Sequence, residues 1–267
     1  MENLRDGYDR YQHKNRGHIK SKEYGTSLIQ YLNMPRGLFY NSIEENDDSL
    51  ANKLRRKRMK TFESFFESSF VDELKSGKRI EILDIGGTYK YWEHLEFKYL
   101  DNCRFTLVNL LDEPVPENDE RFISKQDDAT NMTGIADKSY DLVYSNSCIE
   151  HVGRKPEWEK MRNEMMRTGR YYFLQTPNKF FPMEPHFLIV GFQFLPLKLK
   201  AFIIRNFKVS WYRDIKDKEE SLKAADSIHL LTKKDLKELF PDGMIQKEKF
   251  FGLTKSFMVM GQAKGCS

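Results

Sequence analysis

Between residues 79 and 175 the chain alternates short apolar runs with polar, helix-forming stretches. The runs are Arg79 to Ile85, Phe105 to Leu110, Phe122 to Ser124, Asp141 to Ser145 and Tyr171 to Gln175. Most are continuously apolar rather than alternating, and β-branched or aromatic residues recur in them. That pattern predicts strands buried on both sides, and so an α/β fold: a mostly parallel sheet with helices on both faces. Lys155 to Thr168 is the clearest of the intervening helices. Right-handed crossovers then bring the C-terminal ends of the strands to one rim, where such sheets bind ligands.

The flanks follow other periods. From Ser49 to Leu74, apolar residues including Leu54, Phe62, Phe66 and Phe70 recur mainly at three- and four-residue steps, which predicts a helix. Its basic run, Arg55-Arg56-Lys57-Arg58, reads as a solvated face or as a phosphate- or RNA-binding patch. After Thr176-Pro177 comes an aromatic, proline-punctuated stretch, Phe180 to Trp211, and then a charged one, Arg213 to Lys223. Thr232 and Asp235 suit an N-cap pair for a helix that buries Leu236, Leu239 and Phe240. Ile245 to Phe251 and Ser256 to Gln262 are the last strand candidates.

Composition narrows the classes. The chain has 267 residues, 39% of them apolar and 20 of them Phe, enough for a sizeable core. A net charge of +4 with interspersed signs makes no case for a nucleic-acid partner. Cys103, Cys148 and Cys266 show no CxxC spacing, so neither a disulfide framework nor a structural zinc site is expected. The longest apolar stretch, Phe187 to Ile204, is interrupted by Pro196, Lys198 and Lys200, a poor spanning segment. It reads as a lid packed over the sheet, as a hydrophobic acceptor pocket, or as a face touching a membrane with Lys198, Lys200 and Arg205 at its rim. With no apolar leader at the N-terminus, the expectation is a soluble cytoplasmic protein, with the inner face of the membrane as a further location.

The strongest local signal is Ile82-Leu83-Asp84-Ile85-Gly86-Gly87-Thr88. A strand running into an acid and two glycines brings backbone close to a nucleotide-like ligand, because glycine has no Cβ to block the approach. The second strand ends at Asn109, placed for a ribose. Asp127-Asp128-Ala129 after the third suits an adenine, with the acid accepting from the exocyclic amine and a backbone amide donating to a ring nitrogen. The fourth strand runs from Asp141 into Ser145-Asn146. His186 lies past the fifth strand as a candidate general base or substrate-binding group, or else a structural histidine. Glu184 is its candidate orienting carboxylate. His151, beside Glu150, reads more readily as structural, with catalysis as the alternative, and His229 reads as structural. Along the chain no tight cluster of His, Asp and Glu stands out, and no metal is expected.

The motifs ILDIGG, DDAT, SYDLVYSNSCIEHV and YYFLQTPN resemble those of class I S-adenosylmethionine-dependent methyltransferases, especially the type 11 kind. TPNKFFPMEPH with FQFLP, and HLLTKKDLKELFP with FFGLTKS, resemble a bacterial subgroup associated with surface-glycan biosynthesis. The resemblance implies a Rossmann-like sheet with a reversed last strand, and S-adenosylmethionine as cofactor with S-adenosylhomocysteine as product. It places Asp84, Gly86 and Gly87 at the methionine end, Asn109 at the ribose, Asp128 and Ala129 at the adenine, and Ser145 and Asn146 under the sulfonium. Two positions depart from the family pattern: Thr88 stands at its second glycine, and Asn109 at its usual acid, for which Asp112 is a substitute. The expected layout is an N-terminal extension, residues 1–54, as a candidate active-site cap, then the methyltransferase domain over 55–267 with an aromatic lid insertion at about 177–228. The expected acceptor is a small-molecule or glycan hydroxyl. The alternatives are methylation of a lipid, quinone, secondary metabolite or RNA, and a non-catalytic Rossmann-like partner protein.

Overall fold

The helical period that opens the chain's described part forms α1, Leu50–Ser69, and α2, Val71–Ser76. They are separated at Phe70, whose φ of −126° and ψ of 34° break the single helix expected from the pattern. The turn lets the Phe70 ring stay fully buried. The computed structural model describes residues 50–207, 209 and 215–263. Nearly all of the expected N-terminal cap, Cys266 and part of the aromatic stretch therefore lie outside the described residues.

Strand β1, Ile80–Ile85, shows why both sides of the sheet are covered. Successive side chains point to opposite faces. Ile80 and Ile82 enter one apolar cluster, while Leu83 and Ile85 enter another. The remaining elements are α3 (Tyr89–His94), β2 (Cys103–Asn109), β3 (Phe122–Gln126), β4 (Tyr140–Asn146), α4 (Lys155–Thr168) and β5 (Gly169–Pro177). They continue with β6 (Met183–Glu184), β7 (Ile189–Val190), α5 (Leu197–Asn206), α6 (Lys218–Ala225), α7 (Lys233–Leu239), β8 (Met244–Phe250) and β9 (Leu253–Gln262).

Seven strands form one sheet in the order β3-β2-β1-β4-β5-β9-β8. The first five run parallel, and β9 lies antiparallel between β5 and β8. The reversed strand is thus the last in sequence, as expected. On one face Phe62 and Phe66 of α1 and Trp92 of α3 pack on Phe105, Tyr144 and Phe173. On the other, Trp158, Met161 and Met165 of α4 and Leu236 of α7 pack on Leu83, Val143 and Leu174. The Thr232–Asp235 capping pair of α7 forms as the sequence suggests.

The stretch between β5 and α7 has a small core of its own. Phe187 and Phe192 meet Ala201 and Ile204 of α5 and Ala225 of α6. Phe194, Phe202 and Phe207 stay at least half exposed. Among the described residues no helix is long and apolar enough to cross a membrane.

Candidate active site

The C-terminal rim of the sheet is tied together by backbone and amide bonds. Gly86 donates its amide to the Val108 carbonyl at 2.8 Å, and Asp127 donates to the Asn109 carbonyl at 2.9 Å. Gly86 takes a φ of 79°, and a Cβ there would lie 2.8 Å from Cys148 Sγ. A Cβ on Gly87 would lie 1.8 Å from Asp84 Oδ2, so only glycine lets the turn fold over that carboxylate. Asn109 Nδ2 donates to the Gly87 carbonyl at 2.8 Å. An aspartate could not make that bond, because an ionised carboxylate only accepts. The departure from the family's usual acid thus closes the glycine turn. Thr88 has a similar reason: its side chain accepts from the Tyr91 amide and caps α3.

Beside this turn opens a hollow of about 520 Å³, its mouth included. Gly86, Asn109, Asp128, Ala129 and His151 are among its lining residues. Asp128 Oδ1 accepts from both the amide and the hydroxyl of Thr130 at 2.8 Å, which shapes the loop after β3. Asp84 lies beneath, on the face of β1 that carries Ile80 and Ile82. Its Oδ2 accepts from Trp92 Nε1 at 2.8 Å. Its Oδ1 is buried with no hydrogen-bond partner among the described residues. Burial pushes its pKa up to about 7, against the lowering effect of the Trp92 bond.

A second polar group is buried next to the hollow. Ser147 leaves β4 with a φ of 54°, held by Gln175 of β5 through both its amide and its hydroxyl. The next turn delivers Glu150 and His151, while the β6–β7 hairpin delivers Glu184 and His186. Thr176 donates its hydroxyl to Glu150 Oε2 at 2.9 Å. His186 Nδ1 lies 2.8 Å from Glu184 Oε1, and Glu184 Oε2 accepts the amides of His186 and Phe187. The His151 and His186 rings meet edge to face, centroids 4.9 Å apart. Burial holds His151 well below the usual histidine range. Burial acts the same way on His186, but the Glu184 carboxylate outweighs it and raises the pKa.

Residues 47–242 match a protein family described as a methyltransferase domain. The chain belongs to that family. Its sheet is the one expected for class I S-adenosylmethionine-dependent methyltransferases. Among solved structures, the magnesium protoporphyrin IX methyltransferase from Synechocystis PCC 6803, crystallised with S-adenosylmethionine, shares the fold at a TM-score of 0.52. Identity is 8%, over 92% of this chain and 100% of that one. The CurJ carbon methyltransferase matches at a TM-score of 0.53 and 12% identity, over 93% of this chain and 62% of that one. An uncharacterised protein, Rv1509, of Mycobacterium tuberculosis strain H37Rv is 34% identical over 58 residues. That match covers 22% of this chain and 20% of that protein's length.

In this methyltransferase domain the eight residues expected around the cofactor divide in two. Gly86, Asn109, Asp128 and Ala129 line the hollow. Asp84, Gly87, Ser145 and Asn146 are not among its lining residues. Ser145 is fully buried and donates its hydroxyl to the Ile85 carbonyl at 3.1 Å. Asn146 shares a face with Tyr144, toward α1, and its Oδ1 accepts from Arg58 Nη1 at 2.6 Å. Asp112 is exposed. His151 lines the hollow, and Glu184 lines a second cleft with Arg154, Lys179 and Lys200.

Arg58 is the residue that sequence reasoning missed. It sits in the basic run read as a solvated face or as a phosphate- or RNA-binding patch, yet its side chain is 9% exposed and pairs with Glu248 of β8 at 3.3 Å. Ser256 donates its hydroxyl to the same Glu248 oxygen at 2.6 Å. The helical period carried the signal, since Arg58 falls four residues before the buried Phe62 and one before the buried Met59.

Proposed function

We propose that this methyltransferase domain binds S-adenosylmethionine in the rim hollow and transfers its methyl group to a hydroxyl of a small molecule or glycan. One observation carries the reading: a hollow lined by the glycine turn, Asn109 and the Asp128–Ala129 loop adjoins a buried cluster of two histidines and two glutamates. The residues present fit the cofactor. The glycine cradle has no room for a Cβ, and the unpartnered Asp84 Oδ1 suits the positively charged methionine end. Asp128 and Ala129 would hold the adenine, Asn109 would lie at the ribose, and Gly86 and Gly87 would form the turn at the methionine. Ser145 and Asn146 would support the rim beneath the sulfonium.

When bound, the cofactor supplies a methyl group that is already electrophilic. The chain's own residues must then align the acceptor, with reacting atoms about 3–3.5 Å apart, and help its hydroxyl lose a proton. His186, His151 and Glu184 are the residues proposed to act at the acceptor. Glu184 fixes the His186 ring, and His151 connects that pair to the hollow.

Calorimetric titration with S-adenosylmethionine and S-adenosylhomocysteine, followed by a screen of acceptors with labelled cofactor, tests the reading. Micromolar binding and label transfer to a hydroxyl are expected. No binding at high micromolar concentration would favour a non-catalytic partner protein instead. A lipid-borne acceptor, methylated at the inner face of the membrane, is a second reading. The exposed rings of Phe194, Phe202 and Phe207 near Lys198 and Arg205 favour it, and cosedimentation with anionic vesicles tests it.

A further inference from the structure

Glu150, His151 and His186 present one carboxylate oxygen and two imidazole nitrogens that all lie within 4.8 Å of one another, and all three residues are buried. Two features mark these donors as a built site. The first is Glu150. It has no exposed surface, its Oε2 is held by Thr176, and its Oε1 has no hydrogen-bond partner among the described residues. A carboxyl group stripped of water and left half-satisfied is costly unless a proton or a positive charge compensates it, and a cation bound at Oε1 supplies that charge. The second is Glu184, whose carboxylate grips Nδ1 of His186 at 2.8 Å and leaves Nε2 as the donor on the other side of the ring. A carboxylate behind an imidazole is the usual support of a metal-bound histidine, because it sets the tautomer and the ring's direction.

We propose that Glu150, His151 and His186 form a binding site for one divalent transition-metal cation of the zinc class. Two imidazoles and one carboxylate favour such an ion over magnesium or calcium, which prefer oxygen ligands throughout. Metal–ligand bonds of about 2.0–2.1 Å require each donor to move inward by less than about 1 Å, within the reach of small side-chain rotations. Three protein ligands leave a position open for an outside oxygen. The site lies between the hollow, which His151 lines, and the cleft, which Glu184 lines. The cation's use in catalysis rests on the methyl-transfer reading: it would polarise the acceptor oxygen. Its binding does not depend on that reading.

The test uses the full chain, freed of metal with a chelator and titrated with Co²⁺, Zn²⁺ or Mg²⁺. One equivalent of Co²⁺ is expected to give visible ligand-field absorption, which Zn²⁺ displaces and Mg²⁺ does not. Glu150→Gln, His151→Gln and His186→Gln should each weaken Zn²⁺ binding by about 100-fold or more, and Glu184→Gln by about 10–100-fold, as for other outer-shell partners. Far-UV circular dichroism confirms that each variant folds. Absence of cobalt bands in the unsubstituted chain, or Zn²⁺ affinity indifferent to the folded variants, overturns the inference. Cofactor binding measured on the same samples separates the two readings. Cofactor uptake without Zn²⁺ uptake sinks the metal site alone, and the converse sinks methyl transfer alone.

Discussion

Asp84 offers the sharpest test of how the rim is built. Its carboxyl is 1% exposed, receives one hydrogen bond from Trp92, and is pushed up to about 7 by burial. Relative to its ordinary 3.8, that is a rise of about 3 pKa units, or about 4 kcal/mol at about 1.4 kcal/mol per unit. The sign follows from proton counting. Below pH ~4 both folded and unfolded chains hold the proton. Between ~4 and ~7 only the folded chain does, so stability falls as pH rises, and above ~7 the loss is complete. Asp84→Asn removes the titrating group while keeping an acceptor for Trp92. Its stability should therefore lack this slope, and above pH ~7, where the loss is complete, it should exceed that of the unsubstituted chain. Urea unfolding from pH 5 to 8.5, followed by tryptophan fluorescence, reads the difference. Cofactor binding should act in the opposite direction. A cationic ligand favours ionised Asp84, so affinity should rise with pH up to ~7, and binding should release protons to the buffer. Parallel stability profiles for the two proteins would refute the burial argument, whatever the activity.

The other expectations concern single contacts. Gly87→Ala drives a methyl group into the Asp84 carboxylate and should cost about 1–3 kcal/mol in thermal or urea unfolding, with loss of cofactor binding. Arg58→Met strands a buried Glu248 and should cost about 3–5 kcal/mol, whereas Arg58→Met with Glu248→Leu should recover most of it; a double mutant no better than the single one contradicts the pairing. Asp128→Ala should weaken S-adenosylmethionine by about tenfold to a hundredfold in calorimetry, the cost of a charge-assisted hydrogen bond, and unchanged affinity removes the adenine assignment. His186→Ala should lower kcat by about 10²–10⁴-fold while leaving cofactor affinity nearly unchanged; an unaltered rate retires it from the acceptor site.

Sequence alone determined the sheet, because that information is local. Continuous apolar runs can only be buried on both faces, and Gly86-Gly87 after β1 marks a close turn wherever the rest of the chain goes. The order of strand ends likewise anticipated that Gly86, Asn109 and Asp128 would meet, since parallel crossovers leave little choice of rim. Tertiary structure decided what lies across long separations. Glu150 and His186 stand 36 positions apart in the chain and carry no common spacing signal, yet a turn after β4 and a hairpin after β5 bury them against each other. Arg58 reads as a surface cation until β8, placed beside the reversed β9, brings Glu248 to it. Asp84 and Ser145 were legible as rim residues, but which face each occupies depends on strand register and on the helices that cover it. A side chain's chemistry is written in its own position, whereas its dielectric and its partners come from segments that the local pattern does not see.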